Sequence, residues 1–348
     1  METALHNILE RVRAAAADAT PLRLCGGGSK DFHGLALEGT PLELRPLRGI
    51  ISYEPTELVV TARAGTPLQE LQATLAQAGQ ALAFEPPHFA LGDKQPTVGG
   101  MVAAGWSGPA RASSGAVRDF VLGVEIINGR GELLRYGGQV MKNVAGYDVS
   151  RLMAGSWGTL GVITEVSLKV LPVAPAQATL VFAMNEAQAL EALNRWGGQP
   201  LPLNASCWAQ GQLWLRLCGA QAAVQAACQK LGGERLPDDQ AAALWHSLRE
   251  QQHPWFAQRS DTDALWRLSL PQTAAPLALP EGLAAPLIEW HGAQRWVQAP
   301  RTMASAITAE AQAAGGSATI FRAERADQLS NWPIFNPQSA TLQAVHAQ

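Results

Sequence analysis

Three consecutive glycines, Gly26–Gly28, stand between the apolar run "LRLC" and Ser29-Lys30. Glycine loses more backbone freedom on folding than any other residue, so a triple glycine in an ordered chain needs a reason. One reason is a loose surface turn. The other is a backbone kept bare so that successive N–H groups, curled into a nest, can hold an anion. A diphosphate suits such a nest, with Ser29 offering a hydroxyl and Lys30 a cation. The two common phosphate motifs do not fit. Counted from Gly26, the pattern G-x-G-x-x-G meets Asp31 where the third glycine belongs, and the P-loop order G-K-[ST] is scrambled to Gly-Ser-Lys. Alone, "GGGSK" reads equally well either way.

Two later segments repeat the feature. Residues 96–108 read "PTVGGMVAAGWSG", and residues 155–164 read "GSWGTLGVIT". Three glycine-rich bends ahead of residue 165 point to an extended ligand with several polar groups, or else to three tight structural turns. The 348 residues exceed the size of a usual single core, so two domains are expected. Their meeting point is the Pro/Ala-rich "LPVAPAQA" at 171–178: glycine clusters lie before it, and nine of the eleven tryptophans lie at or beyond residue 196. A net charge of −3 without a basic run argues against nucleic acid or an anionic membrane as the main partner. No long uncharged apolar stretch predicts a membrane span. The N-terminus lacks the order of a signal peptide, so a cytoplasmic protein is expected. The four cysteines form no CxxC pair and the seven histidines no close pair, so no metal site is expected.

Before the hinge, the pattern predicts a helix over 4–18 and strands near 21–25, 42–45, 49–53 and 57–63. A further helix is expected, with Thr66 as cap, Glu70 in a capping box and Gly79 as stop. A hairpin turning on Asn128-Gly129 follows, then one long closing strand. The elements do not alternate strictly, so the fold class is α+β. Beyond the hinge, strands and helices suggest a small ferredoxin-like or cap layer.

The segments "GGGSKDFHG", "YEPTELVVTARAGTPLQELQATLAQAGQALAFEPP", "PTVGGMVAAGWSGPARASSGAVRDFVLGVEIINGRGE" and "KNVAGYDVSRLMAGSWGTLGVI" resemble, in order and spacing, the FAD-binding domain of the vanillyl-alcohol oxidase / p-cresol methylhydroxylase (PCMH) group. Within it they are most similar to the branch of glycolate oxidase E subunits. The resemblance implies a PCMH-type FAD-binding domain over 1–173, with subdomains of about 1–64 and 65–173, and a shortened cap-like domain over 174–348. It implies non-covalent FAD. Gly26, Gly27, Gly28 and Ser29 match the pyrophosphate loop; Thr97, Gly99 and Gly100 match the second phosphate-side loop; Ala103 and Gly108 follow along the flavin. Gly115 matches a further approach to the cofactor, and Gly161, Val162 and Ile163 match the strand at the adenine end. His33 and Cys25 stand off the positions at which relatives tether a flavin.

The same resemblance implies a glycolate oxidase (glycolate dehydrogenase) complex that oxidises glycolate to glyoxylate. Its other parts would be a larger flavoprotein subunit and an iron–sulfur subunit, through which the complex could lie peripherally at the inner membrane. The alternatives are a self-sufficient D-lactate or glycolate dehydrogenase and a non-catalytic assembly module. Related D-2-hydroxy-acid dehydrogenases place two histidines and a glutamate round a metal, a cluster not evident here. Candidate catalytic groups are His291, sharing a strand face with Glu289 and Arg295 in "IEWHGAQRW", then Arg322, and Lys142 with Asp148 in "KNVAGYD". Phe335-Asn336-Pro337 precedes the last predicted helix, where relatives carry a similar segment after it.

Overall fold

A computed structural model of the chain describes residues 3–34, 36–138, 147–323 and 344; the segment around Phe335 lies outside them. The chain forms two compact units. The first comprises Met1–Asp31, Leu37–Pro175 and His246–Gln251; the second comprises Phe32–Ala36, Ala176–Trp245 and Gln252–Gln348.

In the first unit, helix α1 (Thr3–Ala17) buries Leu5, Ile8, Leu9 and Val12, the one-sided stripe of a 3.6-residue period. That stripe packs on Leu42, Leu47, Ile127 and Val162. Strand β1 (Leu22–Cys25) runs parallel to β2 (Thr40–Glu43), and the triple glycine leaves directly from the end of β1. Strands β3 (Ile50–Glu54) and β4 (Val59–Arg63) lead to helix α2 (Leu68–Gln77), the two-residue β5 (Gln80–Ala81) and helix α3 (Val98–Ala104). Short helical turns α4 (Arg111–Ser114) and α5 (Val117–Phe120) precede β6 (Val121–Ile127) and β7 (Leu133–Gly137). Turn α6 (Val149–Leu152) precedes β8 (Val162–Lys169) and β9 (Leu171–Pro172). An antiparallel sheet of order β3-β4-β8-β6-β7 carries α2 and α3, so that Leu68, Leu71, Leu75, Met101 and Val102 share one core with Val60, Val166 and Leu168. This sheet draws strands from both sides of residue 64.

Local details depart from the sequence pattern for identifiable reasons. Thr66 does not cap α2: its hydroxyl is taken by the main chain of Gly49, while Glu70 turns outward to Arg48. The hairpin does not close on a two-residue Asn128-Gly129 turn. The Asn128 carboxamide oxygen accepts from the Arg130 and Glu132 amides, and Gly131 takes the left-handed position with φ of 70°. The closing strand breaks into β8 and β9.

In the second unit, β10 (Ala176–Ala183), helix α7 (Glu186–Gly197), β11 (Leu203–Ala209), β12 (Gln212–Gly219), helix α8 (Gln221–Leu231) and β13 (Glu234–Leu236) follow one another. The sheet order β13-β10-β12-β11 is the 4-1-3-2 order of a ferredoxin-like unit. After helices α9 (Asp238–Arg249) and α10 (Pro254–Ala257) come β14 (Asp263–Ser269), β15 (Leu287–Glu289), β16 (Gln294–Pro300), helix α11 (Ala304–Ala313) and β17 (Ser317–Arg322). Their order, β15-β16-β14-β17, is the same arrangement read backwards, with the irregular stretch 270–286 where the first half has α7. Pairing of β11 with β15, through Cys207↔Glu289 and Trp208↔Ile288, joins the halves into one eight-stranded antiparallel sheet. Each half keeps its own core, one around Leu190, Leu193 and Leu215, the other around Trp266, Val297 and Ile307. The sequence pattern missed β11, whose "LNASCWA" is short of β-branched residues.

Candidate functional site

The three glycine-rich segments meet inside the first unit. A Cβ on Gly26 would lie 2.8 Å from the Thr97 hydroxyl, and one on Gly158 would lie 2.7 Å from Leu24 at the end of β1. The carbonyls of Val102 and Ala103, at the end of α3, accept from the amides of Gly155 (3.0 Å) and Trp157 (2.9 Å). The Trp106 and Trp157 rings lie edge to face, 5.2 Å apart. Thus 26–29, 97–106 and 155–158 adjoin one another in the first unit.

The first segment alone leaves its donors open. Among the described residues, the main-chain N–H groups of Gly26, Gly27, Gly28 and Ser29 meet no acceptor. The loop closes by Asp31 N–H donating back to the Gly28 carbonyl (3.2 Å), with Gly28 at φ of 71°. Gly27 must be bare, because a Cβ there would fall 1.4 Å from the Gln95 carbonyl oxygen. A cavity of about 230 Å³ opens on these glycines, flanked by Arg23, Asp31, Arg45 and Lys94.

The second segment spends its donors inside the protein. Thr97 caps α3, its hydroxyl accepting from Gly100 N–H (3.2 Å). Gly99 N–H donates to the Ala64 carbonyl (2.7 Å), and a Cβ on Gly99 would meet that of Ala64 at 2.6 Å. Gly108 N–H donates to Phe84, and its α-carbon faces the Glu85 carbonyl so closely that a Cβ would stand at 2.3 Å. Ala103 contributes its carbonyl to Trp157, and Gly115, at φ of 102°, donates to Arg111. In the third segment, Gly161 takes φ of 140° against the Ile127 carbonyl, and Val162 and Ile163 pair with Ile127 and Ile126 in the sheet.

Sequence reasoning missed a charged cluster behind the first loop. Glu250 is buried; its carboxylate accepts from Phe89 N–H (2.8 Å), His88 N–H (3.1 Å) and Arg249 Nε (2.7 Å). Burial pushes the Glu250 pKa up, but those bonds outweigh it and hold it below the usual carboxylate range. Burial pulls the His88 pKa down, and its Nε2 lies 2.7 Å from Gln72 Oε1. Lys30 Nζ donates to Ser29 Oγ (3.3 Å); desolvation lowers its pKa to about 8, against an upward pull from Glu250. Nothing near Lys30 in sequence announces Glu250.

In the second unit, Glu289, His291 and Arg295 do not share a strand face. Residues Trp290–Gly292 form a tight turn between β15 and β16, with Trp290 and His291 both at positive φ, so the alternation is broken. Glu289 accepts from Trp296 Nε1 (2.7 Å) and Gln294 Nε2 (3.1 Å), and Arg295 is fully buried on the carbonyls of Ala274 and Ala275. His291 N–H donates to Ser206 Oγ, and burial drops the His291 pKa to about 4, so its ring is neutral at physiological pH. Arg322 lies 3.6 Å over the Phe32 ring, its pKa brought down to about 10 by burial and then by Arg259. His33 Nδ1 lies 3.1 Å from the Phe321 carbonyl, and Cys25 Sγ lies 3.4 Å from the Arg23 carbonyl. Asp148 caps α6 and pairs with Arg151 at 2.8 Å; Lys142 lies outside the described residues. Among the described residues, no group of three or more His, Cys, Asp or Glu could hold a metal ion, and no helix is long and apolar enough to cross a membrane.

The first unit suits a dinucleotide carrying a diphosphate. Four adjacent amides lack acceptors, and two buried side-chain atoms have no partner among the described residues: Nε of Arg23, which flanks the same cavity, and Oγ of Ser156 in the third segment. Buried polar groups left open in this way ordinarily meet a ligand or water. Comparison with known proteins agrees. A family profile described as an FAD binding domain matches residues 5–137. Glycolate oxidase subunit GlcE of Escherichia coli (strain K12) is 46% identical over 341 residues, which cover 98% of this chain and 91% of that one. Glycolate oxidase subunit GlcD of Bacillus subtilis (strain 168) is 32% identical over 158 residues, 45% of this chain and 32% of that one. In fold, the chain is similar to p-cresol methylhydroxylase with substrate bound: TM-score 0.68 at 14% identity, covering 92% of this chain and 80% of that chain.

Proposed function

The chain belongs to the family of glycolate oxidase subunit GlcE, and on that premise we propose that it is the FAD-binding subunit of a glycolate oxidase complex oxidising glycolate to glyoxylate. It is an FAD-dependent oxidoreductase component of PCMH-type fold. The observation that carries the reading is the end-to-end match to GlcE, at 46% identity over 98% of the chain. In this reading the complex also contains a larger flavoprotein subunit and an iron–sulfur subunit. The bound flavin supplies two-electron redox chemistry.

The chain's own residues bind and orient the cofactor. The amides of Gly26, Gly27, Gly28 and Ser29 take the diphosphate, Ser156 and Arg23 close its polar contacts, and α3 with the 155–163 segment lines the nucleotide. Thr97, Gly99, Gly100, Ala103, Gly108 and Gly115 serve mainly to set the backbone round it. Binding is non-covalent: His33 and Cys25 are each engaged elsewhere. The neutral His291 and the ring-stacked Arg322 remain the candidates for substrate contact in the second unit, with Lys142 from the first.

The test is spectroscopic. The purified chain should carry a flavin absorption band, or acquire one on adding FAD. Glycolate should bleach that band in the reconstituted complex and leave it unchanged in the isolated chain. Bleaching of the isolated chain by glycolate or D-lactate would overturn the subunit reading in favour of a self-sufficient dehydrogenase. A flavin band that bleaches in neither would favour an assembly module, and a chain that never binds FAD would overturn the whole reading.

A further inference from the structure

Three cations, Arg23, Arg45 and Lys94, line the cavity that opens on Gly26–Gly28, and they differ in what already holds them. The four open amides carry only partial positive charge, whereas a dinucleotide's diphosphate brings two full negative ones, so formal cations are needed beside them. Arg45 is committed. Its Nε and Nη2 donate to the two oxygens of Glu43 at 2.8 and 2.7 Å, a bidentate pair. Arg23 is the opposite case: it sits on β1 just ahead of the glycines, and its Nε is buried with no partner among the described residues. Lys94 stands between the two, paired at 3.2 Å with Asp31, which lines the same cavity.

The Asp31 carboxylate lies against the glycine loop. Its Oδ2, the oxygen that meets Lys94, is also the atom that a Cβ on Gly28 would approach, at 3.0 Å. None of the four amides donates to it. Lys94 reaches it from a separate turn, closed by Leu91 N–H donating to the Lys94 carbonyl (3.1 Å) and Lys94 N–H to the Leu91 carbonyl (3.0 Å), so the lysine stem starts from a fixed base. Both side chains of the pair are about half exposed. An ion pair that wet is weak, and a doubly charged ligand can part it.

Building on the FAD reading above, we propose that Asp31 and Lys94 form an exchangeable latch at the diphosphate site. With the site empty, Lys94 rests on the Asp31 carboxylate; a docking diphosphate takes Lys94 from it, while Arg23 supplies the standing cation. Asp31 is thus a built-in competitor that a ligand must displace. A diphosphate that engages the amides, Arg23 and Lys94 together gains enough to do so. Arg45, held by Glu43, contributes least.

The experiment titrates FAD into the flavin-free full chain by flavin fluorescence, with ADP as a competitor that carries a diphosphate without the flavin. Arg23→Met should weaken FAD binding about tenfold or more, Lys94→Met about threefold to fivefold, and Arg45→Met less than about twofold. Asp31→Asn should tighten it about fourfold, because Lys94 is then released in advance. In a Lys94→Met background the same Asp31→Asn change should gain less than about twofold, since only through-space repulsion remains to be relieved. ADP should follow the same order. An Asp31→Asn protein no tighter than wild type, an equal gain in both backgrounds, or an Arg45→Met loss as large as that of Lys94→Met would each overturn the latch. So would an order seen with FAD and lost with ADP, which would put these cations at the flavin end. Should Arg23→Met fail to fold, the Asp31 and Lys94 variants, altered only at exposed side chains, decide by themselves. Wild type that binds neither FAD nor ADP would take down the cofactor reading and this one together, whereas tight FAD binding unmoved by Asp31→Asn would take down the latch alone.

Discussion

The loops at 26–29 and 97–108 are close in composition and opposite in use. Both carry adjacent glycines, and both were expected from sequence to present bare backbone to a ligand. In the first, bareness leaves four amides open. In the second, the amides of Gly99, Gly100, Gly105 and Gly108 all find acceptors within the protein, and the missing Cβ atoms make room for Ala64, Gly155 and Glu85. The lesson is that a glycine's function is read from the fate of its N–H and from what stands where its Cβ would be. The first loop keeps its donors open; the second is shaped so that α3 can lie close against β4 and the 155–157 turn.

The largest expected effect comes from Gly27→Ala. Its Cβ would sit 1.4 Å from the Gln95 carbonyl oxygen, a backbone atom that cannot swing aside. The loop must move, which costs about 3 kcal/mol or more in stability and scatters the four amides. Thermal unfolding should show the loss, and FAD titration of whatever remains folded should show affinity down by more than about a hundredfold. Near-wild-type affinity in a folded Gly27→Ala protein would break the comparison at its stronger end.

Gly99→Ala probes the other loop and should act on stability alone. A new Cβ meets Ala64 Cβ at 2.6 Å, an overpacking cost of about 1–3 kcal/mol, partly offset by alanine's better helix propensity in α3. Removing the opposing methyl sharpens the test. The double variant Gly99→Ala, Ala64→Gly should show a coupling of about 1 kcal/mol or more in chemical denaturation, because the two substitutions relieve the same contact. FAD affinity per folded molecule should stay within about threefold of wild type throughout. A larger loss would mean that Gly99 meets the cofactor directly.

This distinction marks how far the sequence could be read. Periodicity was enough for α1, α7 and most strands, because their apolar stripes and alternations are local. The order and spacing of the glycine segments led to the FAD-binding fold. What local pattern could not supply was partnership between distant residues. Thr66 looks like a helix cap but is claimed by Gly49. "IEWHGAQRW" looks like an alternating strand, but positive φ at Trp290 and His291 turns it into a corner. Lys30 feels the Glu250 carboxylate only because residues 246–251, far along the sequence, belong to the first unit.

The smallest and most discriminating change is Gly28→Asn. Gly28 sits at φ of 71°, a left-handed conformation that asparagine tolerates better than other side chains. An added Cβ would meet the Asp31 carboxylate at 3.0 Å, the far end of a flexible side chain already drawn toward Lys94. The substitution therefore keeps the backbone path and every N–H in place, at a cost of about 1 kcal/mol or less. If the loop binds through its amides, FAD affinity should fall by no more than about fivefold, while Gly28→Val, strained by its branched Cβ in this conformation, should lose distinctly more. If Gly28→Asn instead abolished flavin binding in a protein of unchanged thermal stability, the bare α-carbon itself would have to lie against the nucleotide. The first loop would then resemble the second after all, with glycine chosen for close approach rather than for the donors it leaves free.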